Sequence, residues 1–397
     1  MIRHLFRLVW ARKRSNLLLI LEIFISFIVL FAVFTMGLGT LQRLHAPIGF
    51  EYEDVYRISI DKQELSDSRW IVDDTETVHR IVRELEAMPE VLLVAGCYMP
   101  PYSIGGLSST TVKTDSIAND IVISVTYMSD DAAKVLGMNL LAGRWFEEAD
   151  DALEYAPIVI TSDLAEQLFP GEDAVGKSLY EPGNSKVVGV VGPYRKDGEL
   201  AAQGPHLFER ISFTSGPYRP VRNLVMKVAP GTSAQMEEKA ITLMRRIEPG
   251  WTYRIAPLLE DRATANRTNM VPFVIVALIG TFMLLMVVLG MVGVLWQSIT
   301  RRTDEIGLRR ALGSPRDIVY RQILGEIVIV TLFGSILAIL LLLQLPLLGI
   351  LGNIGWQTIT SALVLSLLCM ILLAMVSGLY PAWLAARVQP AQALHYE

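Results

Sequence analysis

The chain has 397 residues, 52% of them hydrophobic and 19% charged, with a formal net charge of −5 and a mean hydropathy of +0.41. Those proportions exclude an even mixture of charged and apolar residues. The two kinds have to be segregated along the chain.

Residues 1–15 carry Arg3, Arg7, Arg12, Lys13 and Arg14 and no acid. Residues 16–40 follow as an apolar run broken only by Glu22, long enough to cross a hydrocarbon core, which takes about 20 helical residues. That run exceeds the roughly 7–15 residues of a cleaved signal's apolar region, and TMGLGTLQRLHA offers no clean small-x-small site. It is expected to remain as the first span.

Residues 41–270 are polar, with 34 acidic residues against 23 basic ones. VYRISI, VISVTYM, APIVIT, KVVGVVG, NLVMKVA and WTYRIAPL have strand patterning, whereas TETVHRIVRELEAM, SDDAAKVLG and TSAQMEEKAITLMRRI have helical spacing. Ser129 and either Thr232 or Ser233 suit the N-caps of the last two helices. The strand, helix, strand succession from Asn223 to Leu258 is the brick of a ferredoxin-like or porter-type subdomain. Tyr98, Pro100, Pro101 and Tyr102 form either an exposed partner-binding loop or a plain turn, with the turn preferred. No Ser/His/Asp grouping, H-E-x-x-H or Cys/His cluster occurs, and His79 and His206 stand alone, so no catalytic or metal-ligating residue is expected. Cys97 lies in this domain and Cys369 in an apolar run, which argues against a disulfide between them.

One segment of the domain, GEDAVGKS from Gly171 to Ser178, fits the phosphate-loop pattern G-x-x-x-x-G-K-[ST]. A working loop follows a buried strand and opens a helix whose N-terminus faces phosphate. Here ITSDLAEQLFP precedes it, with Thr161 or Ser162 as N-cap of a helix that Pro170 and Gly171 end. LYEPGNSKVVGVVG follows as a turn and a strand. The order is inverted, so Gly171, Gly176, Lys177 and Ser178 are expected to be a false match: two turn glycines, a solvated lysine and no nucleotide.

Residues 271–297 form a second apolar run without a charge. Residues 298–322 hold Arg301, Arg302, Arg309, Arg310, Arg316 and Arg321 against three acids. Apolar runs 323–348 and 358–384 follow, separated by GILGNIGWQ, and 385–397 form the tail. Basic residues beside membrane spans mark the cytoplasmic side, which places 1–15, 298–322 and 385–397 inside and 41–270 outside. The expected fold is an α-helical membrane protein with four transmembrane helices and a large mixed α/β extracytoplasmic domain inserted between helices 1 and 2.

The 298–322 segment carries the most specific local design. Ile306, Leu308 and Leu312 share a short helix with Arg309 and Arg310, and Glu305 can pair with Arg309 four residues on. Gly313 fits the left-handed position that ends a helix. Ser314, Pro315, Arg316 and Asp317 then suit N-cap, N1, N2 and N3 of the next helix. A basic helix, a hard stop and a second helix make a rigid elbow on which a cytoplasmic partner can push. Glu22 and Glu326 are the only acids in the apolar runs; both lie near cytoplasmic ends, and a structural role is preferred to proton coupling.

RRTDEIGLRRALGSPRDIVYRQILGEI is similar to the hallmark segment of the MacB/FtsX-like permeases of ABC transporters, R-x-x-E-I-G-[IL]-R-[RK]-A-[LI]-G-[AS] followed by a helix. YPAWLAARVQPAQALHYE resembles that family's ending through Tyr380, Pro381, Ala382, Ala386, Pro390, Ala393, Leu394 and Glu397, with His395 where a basic residue is common. The 41–270 domain resembles the family's periplasmic domain, in which L-F-x-G-x-x-x-x-G-K-x and V-V-G-V-V recur in that order. The resemblance implies a bacterial inner-membrane permease without a fused ATPase domain, paired with a second permease chain as a homodimer or heterodimer. It implies ABC ATPase subunits as separate chains, with ATP and Mg bound there and no cofactor in this one. The elbow, Thr303 to Asp317 and including Asp304, Gly307 and Ala311, would dock on the ATPase; hydrolysis would move the outer domain for efflux by mechanotransmission, and this chain would not be an enzyme. A periplasmic adaptor and an outer-membrane channel are further partners it leaves room for, beside membrane lipid and without nucleic acid. A lipoprotein-release permease of the LolC/LolE type and an FtsX-like regulator of a cell-wall hydrolase are the alternatives. For the elbow arginines, binding to anionic lipid head groups is the competing role.

Overall fold

The computed structural model describes the chain except for residues 1–12, 45, 63–74, 104–108, 113–120, 180–183, 202–203, 214–220, 301–314, 349–353 and 387–397. In chain order, α1 (Lys13–Leu44) precedes β1 (Val55–Lys62), α2 (Thr75–Glu86), β2 (Val91–Cys97), β3 (Ser109–Val112) and β4 (Ile121–Met128). Then come α3 (Ala132–Val135), β5 (Leu140–Gly143), a 3-10 turn (Glu148–Ala152), β6 (Ala156–Thr161), α4 (Ser162–Leu168), β7 (Ser178–Leu179), β8 (Ser185–Val191) and β9 (His206–Arg210). β10 (Asn223–Val228), α5 (Gln235–Ile247), β11 (Trp251–Pro257), α6 (Leu258–Thr300), α7 (Arg316–Leu342), α8 (Gln344–Leu347) and α9 (Trp356–Ala386) complete the described chain. It divides into two compact units, 43–269 and 1–42 with 270–397.

Within unit 43–269, β11-β1-β10-β2 form an antiparallel run in that order. Together with α2 and α5 this is the β-α-β-β-α-β ferredoxin-like arrangement, in which two helices cover one face of the sheet. Sequence period decides which residues turn inward: Ile58 and Ile60 alternate along β1, and Val78, Ile81, Val82 and Leu85 form one stripe of α2. They meet Leu224, Met226, Ala240 and Met244 from β10 and α5.

The segment between β2 and β10 builds a second half, β4-β9-β6-β8-β5, joined to the first through the Cys97–Met128 pairing of β2 with β4. β6 and β8 run parallel, and α4 lies on the connection between them, as a parallel pair requires. Its core is Ile123, Ile158, Ile160, Leu164, Leu168, Val187 and Leu207.

Several local expectations are corrected. The helix after Ser129 has Asp131 as N-cap, because the Ser129 hydroxyl instead accepts from the Gly96 N–H at 2.9 Å. The N-cap of α5 is Ala234, while the Thr232 hydroxyl donates back to Ala229 O at 2.6 Å. Pro100, Pro101 and Tyr102 are buried and Tyr98 is half-buried, which overturns the exposed-loop alternative. Tyr102 holds φ +62 and packs edge-on to Phe50 at 5.3 Å. Both cysteines are free, and burial pushes the Cys97 thiol up to about 12.

The other unit contains helices long and apolar enough to cross a membrane: Leu17–Leu44, Leu258–Gln297, Tyr320–Leu347 and Trp356–Pro381, the second reaching back into 43–269. Ile23, Phe27, Val287, Met291, Ile327, Ala338, Met370 and Ala374 meet in its core. Glycine allows the closest approaches. A Cβ on Gly334 would stand 2.8 Å from Ile23 Cγ2 and 3.1 Å from Ile20 O, and one on Gly378 would stand 2.8 Å from Leu324 Cδ2. The helices run past the apolar segments into polar flanks, since hydropathy reports contact with lipid and not where backbone hydrogen bonding stops.

Candidate functional site

Of the elbow, residues 303–314 lie outside the described residues, and with them Glu305, Ile306, Arg309, Arg310, Leu312, Gly313 and Ser314. Description resumes at Pro315, whose φ −67 and ψ 150 are extended and which is the N-cap of α7. The Ile318 N–H donates to Pro315 O at 3.2 Å. Helix entry is therefore one residue later than the expected register: Pro315 takes the N-cap place assigned to Ser314, and Arg316 and Asp317 become the first two helical positions. The proline ring fixes φ but leaves ψ free, so Pro315 serves either position.

The GEDAVGKS segment lies between α4 and β7, with helix before and strand after. Gly171 and Gly176 take φ +71 and +86, conformations that favour glycine. Gly176 N donates to Val187 O at 2.8 Å and Lys177 N to Ala174 O at 3.2 Å, while Val175 N donates to the Asp173 side chain at 3.0 Å. The Lys177 ammonium pairs with Glu172 at 2.7 Å. These N–H groups bond within the loop and to β8, and the segment opens no helix.

Glu22 is half-buried. Its carboxylate lies against Gly290 of α6, where a Cβ would come within 2.4 Å of Oε2. Glu326 is half-buried on α7. His79 stacks on Phe213 with ring centroids 5.6 Å apart. His206 is buried with Nε2 2.8 Å from Thr126 Oγ1, and burial pushes its pKa down to about 3.

A constellation that the sequence did not announce lies in the loop after β8, PYRKDGELA. The Arg195 guanidinium is buried and donates to Arg43 O at 2.7 Å and Ala46 O at 3.2 Å, so it caps the end of α1. Its other terminal nitrogen donates to Glu199 O and to Ala201 O. Arg43 returns a bond to Leu200 O at 3.3 Å. The same loop grips the start of α6: Arg262 Nε donates to Glu199 Oε1 at 2.5 Å, and Asn269 to Asp197 O at 2.9 Å. Burial pushes the Glu199 carboxyl up, but its hydrogen bonds and Arg262 outweigh that and hold it below the usual carboxylate range. Asp261 adds a two-bond pair with Arg57 of β1, at 2.6 and 2.9 Å. The end of α1 and the first turns of α6 are thus tied to one loop by charge-assisted bonds. The sequence signal was only charge in a short turn, which reads as solvated surface.

The family profile of the MacB-like periplasmic core domain matches residues 17–243, and that of the FtsX-like permease C-terminal domain matches residues 277–390. The chain belongs to the MacB/FtsX-like permease family. Family membership and the four apolar helices make it a multi-pass membrane protein. Macrolide export ATP-binding/permease protein MacB of Bordetella avium is 25% identical over 398 residues, covering 98% of this chain and 58% of its own length. The protein of that name from Agrobacterium fabrum is 26% identical over 396 residues, covering 97% and 59%. The permease chain therefore spans less than two thirds of these curated relatives. Among solved structures, the periplasmic region of MacB from Actinobacillus actinomycetemcomitans overlaps 57% of this chain and 97% of its own, at 16% identity and a TM-score of 0.38.

Proposed function

We propose that this MacB/FtsX-like chain is the permease part of an ABC transporter that works by mechanotransmission. ATP hydrolysis on an ABC ATPase moves the membrane helices, and these move the α/β domain on the outer side to drive export. One observation carries this: the FtsX-like match over 277–390 includes E-I-G-L-R-R-A-L-G-S, the basic segment immediately before α7. The segment 303–317 is the docking element, with Glu305, Ile306, Gly307, Arg309, Arg310 and Leu312 central. A second permease chain completes the assembly, and both termini lie in the cytoplasm.

GEDAVGKS has no nucleotide role in this proposal. The N–H groups of Glu172, Val175, Gly176 and Lys177 are engaged within the fold, and the segment opens no helix to meet phosphate.

The test is the charge reversal Arg309→Glu with Arg310→Glu, followed by co-purification with the ATPase. The expected result is loss of the ATPase while the permease remains in the membrane. Normal ATPase binding would sink the docking assignment. Lys177→Ala should leave the hydrolysis rate of the assembled complex unchanged.

A further inference from the structure

The chain passes between its two units twice, at 42/43 within α1 and at 269/270 within α6. A displacement carried along the backbone into unit 43–269 therefore arrives on α1 or on α6, and the two are joined to the sheet differently. α6 starts at Leu258, directly after β11 ends at Pro257, and it buries Leu258 and Ala265 in the core that includes Ala95 and Val225. Arg57 of β1 pairs with Asp261, and Tyr52 lies under Arg262 at 4.5 Å. Helix and sheet are continuous there. α1 has no such link: residues 46–54 form neither helix nor strand before β1 begins at Val55. A segment of that kind absorbs displacement by rotation about its soft φ and ψ.

The 194–201 loop bypasses that segment. Arg195 donates from one terminal nitrogen to Arg43 O at 2.7 Å and Ala46 O at 3.2 Å, and from the other to Glu199 O and Ala201 O. A guanidinium holds both sides at once because its donors form a rigid planar fork. The loop is fixed in turn to the domain. The Tyr194 ring stands 5.0 Å from Phe208 of β9, Arg195 N donates to Ile48 O at 2.9 Å, and Tyr102 N donates to Lys196 O at 2.7 Å. Tyr102 holds φ +62, and a tyrosine stays in that left-handed region only where its surroundings fix it. Further along, Glu199 accepts from Arg262 at 2.5 Å, and Asp197 O accepts from Asn269, the last residue of the unit, at 2.9 Å.

We propose that the 194–201 loop is the coupler of the export movement and that Arg195 is its positioning residue, making the end of α1 and the start of α6 deliver one displacement to the sheet. On the export reading above, on which this rests, the loop is where the movement enters the outer domain. Without the Arg195 fork, α1 moves against residues 46–54 and α6 alone carries the domain.

Arg195→Gln tests this in the complex of the full chain with the ATPase that co-purifies with it, in a background of Cys97→Ser and Cys369→Ala. Spin labels at Glu172→Cys in the outer domain and Trp356→Cys at the start of α9, both exposed positions, report a distance in the complex free of nucleotide and in the complex trapped with ATP and vanadate. With Arg195 present, trapping should shift the distance distribution. Arg195→Gln should hydrolyse ATP at an unchanged rate and lose the shift. A residue needed only for folding would lower the yield of complex and leave the shift in the molecules that remain. A shift of full size in Arg195→Gln therefore overturns the coupler while the export reading stands. No shift with Arg195 present overturns the export reading, and the coupler with it. If Arg195→Gln does not accumulate, Arg195→Lys, which keeps the charge and lacks the planar fork, is read by the same outcomes.

Discussion

His206 sits against Tyr194 and Phe208, ring centroids 4.9 and 4.8 Å away, and its folded-state pKa is about 3. An unfolded chain restores it to about 6.5. Between those values the unfolded state binds a proton that the folded state refuses, so stability falls as pH drops from about 6.5 toward 3. The slope is at most about 1.4 kcal/mol per pH unit. Unfolding of the full chain between pH 7 and 5 should show this loss, and His206→Gln should flatten it; an unchanged slope in the variant would refute the assignment. Arg210 is a different kind of residue. Its side chain, 8% exposed, donates to Asp130 at 2.7 Å and also to Asp151. Arg210→Ala takes the guanidinium away from the Asp130 and Asp151 carboxylates. The expected cost is about 2 kcal/mol, below the range for a fully buried pair because Asp130 keeps 30% exposure. Denaturant titration at pH 7 measures it. The sequence made His206 and Arg210 visible as types, but neither burial nor partners could be read, because those partners lie as many as 80 residues away.

At the scale of elements, the strands and helices with clear period were legible, among them β1, β4, β6, β8, β10, β11, α2 and α5. β2, β3, β5, β7 and β9 were not. β7 has two residues and β3 and β5 four each, too short for a repeat to accumulate. The inverted helix-to-strand order around GEDAVGKS was legible for the same reason that β1 was, since it rests on neighbours in sequence. Helix contacts in the membrane depend on single glycines. Gly334→Val should push α7 away from Ile20 and Ile23 of α1 and cost about 1–3 kcal/mol, read as an earlier midpoint in detergent-titrated unfolding. Gly293→Ala is the control. Nothing lies within 4 Å of the Cβ it adds, so it should be neutral or slightly stabilising. Equal losses in both would mean that the loss at Gly334 does not come from its close approach to α1.

The whole molecule places its charge by segment. The orientation proposed above rests on 34 acids against 23 basic residues between the first two spans and on basic clusters in the other loops, read by the positive-inside rule. In a background of Cys97→Ser and Cys369→Ala, Glu172→Cys should react with a membrane-impermeant maleimide in intact cells. Arg309→Cys should react only after the inner membrane is opened. The opposite pattern would reverse the topology and remove the docking role of 303–317.

By itself the sequence determined that the permease has four long apolar helices with an α/β domain between the first two, and to which family it belongs. Hydropathy, period and contiguous motifs are local quantities, summed over neighbours in the chain. Tertiary structure alone decided that Tyr194, Arg195, Gly198, Glu199 and Leu200 of PYRKDGELA are buried, that Arg195 caps α1 and that Glu199 holds the start of α6. These contacts join residues 43–46, 195–201 and 262–269, which are distant along the chain. A charged turn in solvent and a charged turn at the centre of a junction have the same local composition; the burial that separates them is a property of the fold.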